Sequence, residues 1–527
     1  SRKSAICINM SQQIQTFSVS APGFFGLNTQ DSPLDLAAGY AAIATNCVID
    51  QYGRIGSRKG WSRVNTSSGN LGANNVGVIH ELVQTDGTLT VLFAGNNKLF
   101  KLSGTSVVEL TYGGGGTAPT ITASNWQCAS LNGITYFFQT GHDALVYDPA
   151  VSTTTFKRVT EKTGYVATVP QANIAISAYG RLWVANTTAD NVTVYFSDLL
   201  AGHVWSTGTS GTLDISRVWP NGSDEITGLA AHNGFLLIFG KRQILIYAGA
   251  TTPSSMTLSD AVSNIGCIAR DSIANTGSDV IFLSNSGIRS FLRTIQEKSA
   301  PLRDLSKNVR DDLMTIVNAE TLANIKAVYS ESNAFYLINF PTASQTYCFD
   351  TKAALQDGSS RVTVWDSITP TAFLAKRNGD LLIGKNGYVG KYGTYLDHTS
   401  TYRLQYFTTY ADLGQPNVTS ILKRIAVVVI GGSNQGFIIK WGYDFSGQYY
   451  STTLSIPAST VAEYGTAQYG ANGSPVAYYS QGIALQTLVG QTNGSGKTVQ
   501  TGYETEINGY PVSIQKIEIQ AKNGKLV

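Results

Sequence analysis

Three observations predict an all-β chain, with a six- or seven-bladed β-propeller between an N-terminal arm and a C-terminal β-sandwich-like domain. Short hairpins recur over about three hundred residues at a spacing of roughly 40–55, as expected when each blade buries its faces only against its neighbours. Turns rich in Gly, Asn and Asp run into apolar, aromatic strands, as in Leu131–Asn132–Gly133 before Ile134–Phe138 and His232–Asn233–Gly234 before Phe235–Phe239. Charged residues make up only 13% of the chain, about half the usual share of a soluble protein.

Residues 1–75 read as an arm or docking segment without a core of its own. Met10 has the look of a natural start, with residues 1–9 an upstream extension. Residues 34–46 space their apolar positions loosely as a helix does. The run from Cys47 to Ile55 reads as a strand with a glycine turn. Residues 76–400 hold the propeller. Its units centre on Leu89–Leu102, Ile134–Asp148, Leu182–Phe196, Phe235–Tyr247, Val280–Phe291, Ala327–Ile338 and Leu381–Tyr392. Leucine and valine at 302, 305, 309 and 313 predict a helical insert near 301–325, with Asn318 capping a second short helix. In residues 401–527, longer strands are expected over 402–410, 425–430, 437–441 and 514–519. The Gly/Ser/Tyr/Gln-rich stretch 461–496 reads as long loops or a protruding hairpin.

Composition narrows the functional classes. Apolar residues at 43% supply sizeable cores, and a length of 527 residues predicts several domains. The net charge of +3, from 37 basic and 34 acidic residues, gives no basic face for gripping nucleic acid. A surface poor in Lys and Glu suits a chain largely covered by other subunits, and equally a polar secreted β-protein. Cys7, Cys47, Cys128, Cys267 and Cys348 lie far apart with no metal-ligand spacing, and read as reduced, buried apolar groups. No apolar run is long enough to predict a membrane span, and no signal-peptide core is visible at the start.

Motifs of catalysis fail one by one. Gly490–Thr498 resembles a phosphate-binding loop, but Gln491 stands where the motif needs glycine, and strand-like residues come next where a helix belongs. The five histidines are scattered and read as turn or surface residues. Asp143 and Asp366 are candidates for a glycosidase pair, although nothing in the sequence brings them together. The expectation is no enzyme, no cofactor and no bound metal.

The two ends carry a resemblance. Gly26–Leu27–Asn28 and Pro33, then Asn46, then Gly53–Arg54 and Arg58–Lys59–Gly60, resemble the opening of the tail nozzle (tail tubular protein B) family of short-tailed bacteriophages, with Phe25 in place of that pattern's first glycine. Glu504, Ile507, Gly509 and Gln515 resemble the closing strand pair of the same proteins. The resemblance implies a hexameric ring with a propeller in each subunit. It would sit below the portal and its adaptor and form the distal channel for genome ejection. The partners implied are further copies, the adaptor (head-to-tail connector), tail fibres or spikes, and DNA passing through the lumen without specific binding. The place implied is the virion tail, assembled in the host cytoplasm. Arg54, Arg58 and Lys59 then read either as adaptor contacts or as a solvated turn, and stretch 461–496 as a gate. The other readings are a propeller that binds a receptor or glycan on a phage or bacterial surface, and a glycan hydrolase.

Overall fold

The computed structural model describes residues 14–121, 125–297, 304–412, 418–457 and 485–526. The described chain divides into two compact units: one within Gly60–Ser360 and Trp365–Thr394, the other within Ser1–Lys59, Arg361–Val364 and Tyr395–Val527. The expected pieces 1–75 and 401–527 therefore do not stand apart. Residues 14–59 join the C-terminal region, and residues 60–75 belong with the propeller. The reason is backbone pairing. The strand Ile14–Ser20 is too exposed to have a core of its own and lies along Val512–Leu526, while Tyr40–Thr45 lies along Tyr402–Thr408. Tyr40–Thr45 is a strand and not part of a helix, because Tyr402–Thr408 on one side and Gly26–Leu27 on the other satisfy its backbone groups as sheet ladders.

The first unit is the predicted propeller. Among the described residues it contains seven antiparallel meanders in chain order. They begin with Val76–Val83, Gln127–Leu131, Ala172–Ala178, Ile226–His232, Ala274–Asn275, Lys326–Ser330 and Ala372–Ala375. In six of these meanders the second and third strands are the apolar runs visible in the sequence; in the sixth they are the first and second, Lys326–Ser330 and Phe335–Phe340. Phe335–Phe340 and Val280–Ser284 are buried along their whole length, because sheets press on both faces. The hairpin turns use left-handed residues where expected, with φ of 52° at Asn132 and 74° at Gly133. First strands touch from one meander to the next, and Asn275 reaches the carbonyl of Ala231 to join the fifth meander to the fourth. The first strand of the seventh meander touches that of the first, so the series closes on itself. The seventh meander takes its fourth strand, Trp61–Arg63, from far upstream, paired antiparallel with Tyr388–Tyr392.

Helix lies between the fifth and sixth meanders, where the insert is expected, but its details differ. Phe291–Glu297 succeeds the fifth meander directly, and Arg310–Ala319 buries Leu313 and Val317. Asn318 lies inside that second helix and caps nothing. The next turn is a single 3-10 turn, Leu322–Asn324, without a capping side chain. Glu320, just past the second helix, accepts hydrogen bonds from the backbone N–H and Oγ1 of Thr342.

The second unit is a sandwich of two sheets. One orders its strands Leu485–Gln491, Val418–Gly431, Val512–Leu526, Ile55–Ser57, Cys47–Ile49, with Ile14–Ser20 also along Val512–Leu526. The other runs through Gly26–Leu27, Tyr40–Thr45, Tyr402–Thr408, Thr498–Ile507, Gln435–Tyr443 and Tyr450–Ile456. Alternate residues are buried, such as Ile425, Val427 and Val429 in one sheet and Phe437, Ile439 and Trp441 in the other. The Trp441 Nε1–H and Tyr443 hydroxyl both donate to the Asn493 carbonyl, fastening the sheets together. All four expected C-terminal strands are present. Of the expected gate, residues 461–484 lie outside the described residues, and residues 485–491 form the strand Leu485–Gln491. The loop-like Gly490–Thr498 runs strand, turn, strand, with no helix to aim amides at a phosphate.

Candidate functional site

Two places have the geometry of a site: the centre of the propeller ring and a groove in its flank. The centre is built from residues at the start of first strands. Arg270, from the turn before the fifth meander, sends Nη1 to the Asn173 carbonyl at 2.6 Å and to Asn173 Oδ1 at 2.8 Å. Its Nη2 reaches Asn125 Oδ1 at 2.7 Å, and Nε holds Asp271 Oδ1 at 2.8 Å. Lys326, opening the sixth meander, bonds the other Asp271 oxygen. Contacts that join the second, third, fifth and sixth members of a ring pass through its middle, so this network crosses one mouth of the axis. Burial works to raise the Asp271 pKa, but Arg270 and Lys326 outweigh it and hold the carboxyl well below the usual carboxylate range. Asp271 is thus a paired anion with no proton to donate near neutrality. The network is a cross-brace.

Sequence reasoning missed all five of these residues. Arg270 lies 145 residues from Asn125 and 97 from Asn173, and only closure of the ring brings them together. In the first strand of the first meander, His80 Nε2 lies 2.6 Å from the Ser130 hydroxyl, and burial lowers the His80 pKa to about 4. His80 and His232 both sit in strands and not in turns, His232 with its ring edge-on to Phe291. Burial pushes the Cys267 thiol up to about 11 and Cys47 to about 12, so these thiols stay protonated and unreactive near neutrality. Among the described residues no group of His, Cys, Asp and Glu is placed to hold a metal ion.

The residues singled out at the two chain ends mostly converge inside the sandwich unit. Arg58, read as a docking or solvated-turn residue, is neither, since its side chain has no exposed surface. Its Nη1 and Nη2 grip Asp397 at 2.8 and 2.7 Å, its Nε donates to Asn46 Oδ1, and its guanidinium lies 3.9 Å from the centre of the Tyr402 ring. Asn46 in turn donates to the Arg403 carbonyl from a left-handed backbone, φ 53°. Arg54 donates to Gln515 Oε1 at 2.6 Å, so one residue from each terminal motif meets the other. Glu504 is buried and takes Lys440 at 2.7 Å and Arg403 at 2.6 Å. Ile507 is in the core and Gly509 turns between strands. Gly26 is required, because a Cβ there would lie 2.7 Å from the Val362 carbonyl oxygen, and Gly53 likewise seats Pro22. The Asn28 side chain folds back on the amides of Gln30 and Asp31. Pro33 lies on an exposed turn, Lys59 is half-buried, and Gly60 begins the propeller unit.

The groove lies between the second and third meanders, with a volume of about 620 Å³. Trp205, Tyr195 and Val169 provide its carbon surface, and Asp143 and Gln171 stand at its edge. Asp143, one of the two carboxylates considered as a glycosidase pair, accepts Arg158 Nε at 2.9 Å and Gln171 Nε2 at 3.2 Å. Asp366 lies on an exposed stretch ahead of the seventh meander and does not line this groove.

No family model and no curated protein matches the sequence. Among solved structures, the chain is similar to the Pan2 WD40 domain of Neurospora crassa at 10% identity and a TM-score of 0.37, covering 64% of this chain and 96% of that one. It is also similar to the extracellular domain of a one-component system from B. thetaiotaomicron, at 11% identity and a TM-score of 0.40, covering 85% and 60%. YCF48 bound to D1 peptide matches at 9% identity and a TM-score of 0.34, covering 64% and 97%. Likenesses this distant bear on neither activity nor partners. The chain's own ring of meanders makes it a β-propeller protein, with a β-sandwich assembled from its two ends.

Proposed function

We propose that the chain is a structural subunit of a short-tailed phage's tail nozzle, joined head to tail with further copies into a ring in the virion tail. The observation that carries this reading is the pair of open edges on one sheet of the sandwich. Ile14–Ser20 and Leu485–Gln491 lie at opposite sides of that sheet, and neither contains a charged residue or a proline. Each pairs on one side only among the described residues. Both expose apolar side chains, with Ile14 59% and Leu485 61% accessible. Solitary proteins guard such edges with charge, proline or a bulge. Two different edges that complement each other make a heterologous contact, which generates a ring when the rotation closes.

The terminal motifs support the same reading, since the residues that resemble the nozzle family help to build the unit that carries these edges. A near-neutral chain also suits a channel wall, because a strongly basic wall holds DNA by releasing its counterions. The adaptor sits above this ring, fibres or spikes attach to it, and DNA passes without specific binding. The test is to mix the purified chain with its adaptor and image the product. A six-fold ring on the adaptor is expected. A stable monomer that ignores the adaptor overturns the reading.

A further inference from the structure

We propose that the groove between the second and third meanders binds a short, neutral oligosaccharide. The argument begins with unused hydrogen-bonding capacity. Thr160, Thr168, Thr188, Ser206 and Thr212 all line the groove and are exposed, and their hydroxyls hold no partner within the described protein. Each hydroxyl both donates and accepts, as does each hydroxyl of a sugar. Beside them lies the partly exposed ring of Tyr195, backed by the buried Trp205 and Val169, giving a carbon surface for the C–H face of a pyranose ring. The volume of about 620 Å³ falls within the range of sites for small ligands, roughly 300–1,000 Å³.

Charge selects the class. The one carboxylate at the groove, Asp143, is already paired with Arg158. A phosphate or uronate would meet no free cation here, and an amine no free anion. The groove is also built in advance of any ligand. Ala167 on its wall has a left-handed backbone, φ 68°, which alanine adopts only when its surroundings impose it. The hydrogen bonds from the Val166 amide to the His203 carbonyl and from the Trp205 amide to the Val166 carbonyl supply that restraint. Thr187 is tied to Asp190, and Tyr195 donates to Asp190 Oδ2 at 3.1 Å. Walls held this way lose little freedom on binding, which favours recognition by many weak polar contacts.

The test uses the full chain and saturation-transfer NMR. The probes are maltotriose, cellotriose, mannotriose and a β-galactotriose, with sialyllactose and inorganic phosphate as charged controls. At least one neutral trisaccharide is expected to show transfer that Thr188→Trp, an exposed substitution filling the groove, weakens by about tenfold or more in Kd. Thr188→Ser, which keeps the hydroxyl, is expected to bind within about twofold of the parent. Silence from all four neutral probes overturns the proposal. So does binding that Thr188→Trp leaves unchanged, or binding restricted to the charged controls. Because no assembly step is involved, the result is independent of whether the chain forms a ring.

Discussion

Arg58 has its guanidinium edges occupied and its face covered. A planar fork donates to both Asp397 oxygens, to Asn46 and to the Lys59 carbonyl, while Tyr402 covers one face and its hydroxyl donates back to the Arg58 carbonyl. Lysine has neither the fork nor the plane. Arg58→Ala is expected to cost about 3–5 kcal/mol by leaving Asp397 buried without its partner, and Arg58→Lys to recover little of that. Urea denaturation of the sandwich unit checks this; either variant within about 0.5 kcal/mol of the parent sinks it. His80 makes a different forecast. Its folded pKa near 4 lies below the unfolded value of 6.5, so above 6.5 the group is neutral in both states and contributes nothing to pH dependence. As pH falls from 6.5 towards 4 the unfolded chain takes up the proton first, and stability drops by at most about 3 kcal/mol before levelling off. His80→Gln should flatten the stability curve in that window and nowhere else. These residues also mark the limit of what was legible. An arginine in a glycine turn reads as exposed, and Arg58 differs because Asp397, 339 residues away, comes back to cover it. Nothing near Arg270 in sequence signalled the ring's cross-brace for the same reason.

At the scale of elements, the meanders were legible because each carries its own signal: an unbroken apolar run next to an Asn- or Gly-rich turn, all within a few tens of residues. Elements whose meaning depends on a distant partner were not. Trp61–Arg63 is three residues long and has no pattern, yet it completes the seventh meander. The apolar positions at 34–46 suggested a helix only because the ladder with Tyr402–Thr408 is invisible locally. The closing strand is anchored by Trp61, seated where a Cβ on Gly390 would come within 2.7 Å of its ring. Trp61→Ala should therefore cost about 3–5 kcal/mol. Hydrogen exchange should show the amides of Tyr388–Tyr392 losing protection well before those of the fourth meander. Equal loss in both would mean that the strand does not act as a local clasp.

At the scale of the whole molecule, a ring held by uncharged edges depends on backbone pairing and apolar contact, so assembly should survive a rise from about 0.1 to 1 M salt, where the screening length shrinks from about 10 to 3 Å. Dissociation at high salt would place the contact elsewhere. Phe17→Lys spoils one edge and Val489→Lys the other, and each alone should stop ring growth. Mixed together, the two variants should form heterodimers through their remaining good edges and go no further, as sizing by mass photometry would show. Rings in the mixture would count against a head-to-tail contact.

The sandwich is sewn from strands on both sides of the propeller, and this sets an order of events at the ribosome. Strands such as Tyr40–Thr45 emerge first, but their partners in Tyr402–Thr408 and Val512–Leu526 emerge last. At about 5–20 residues per second, the intervening propeller takes roughly 20–70 s to be synthesised. For that interval the leading segment has no mate, and its apolar strands are exposed to other nascent chains. Yield in the cell should then depend on chaperone supply more than the finished protein's stability would suggest.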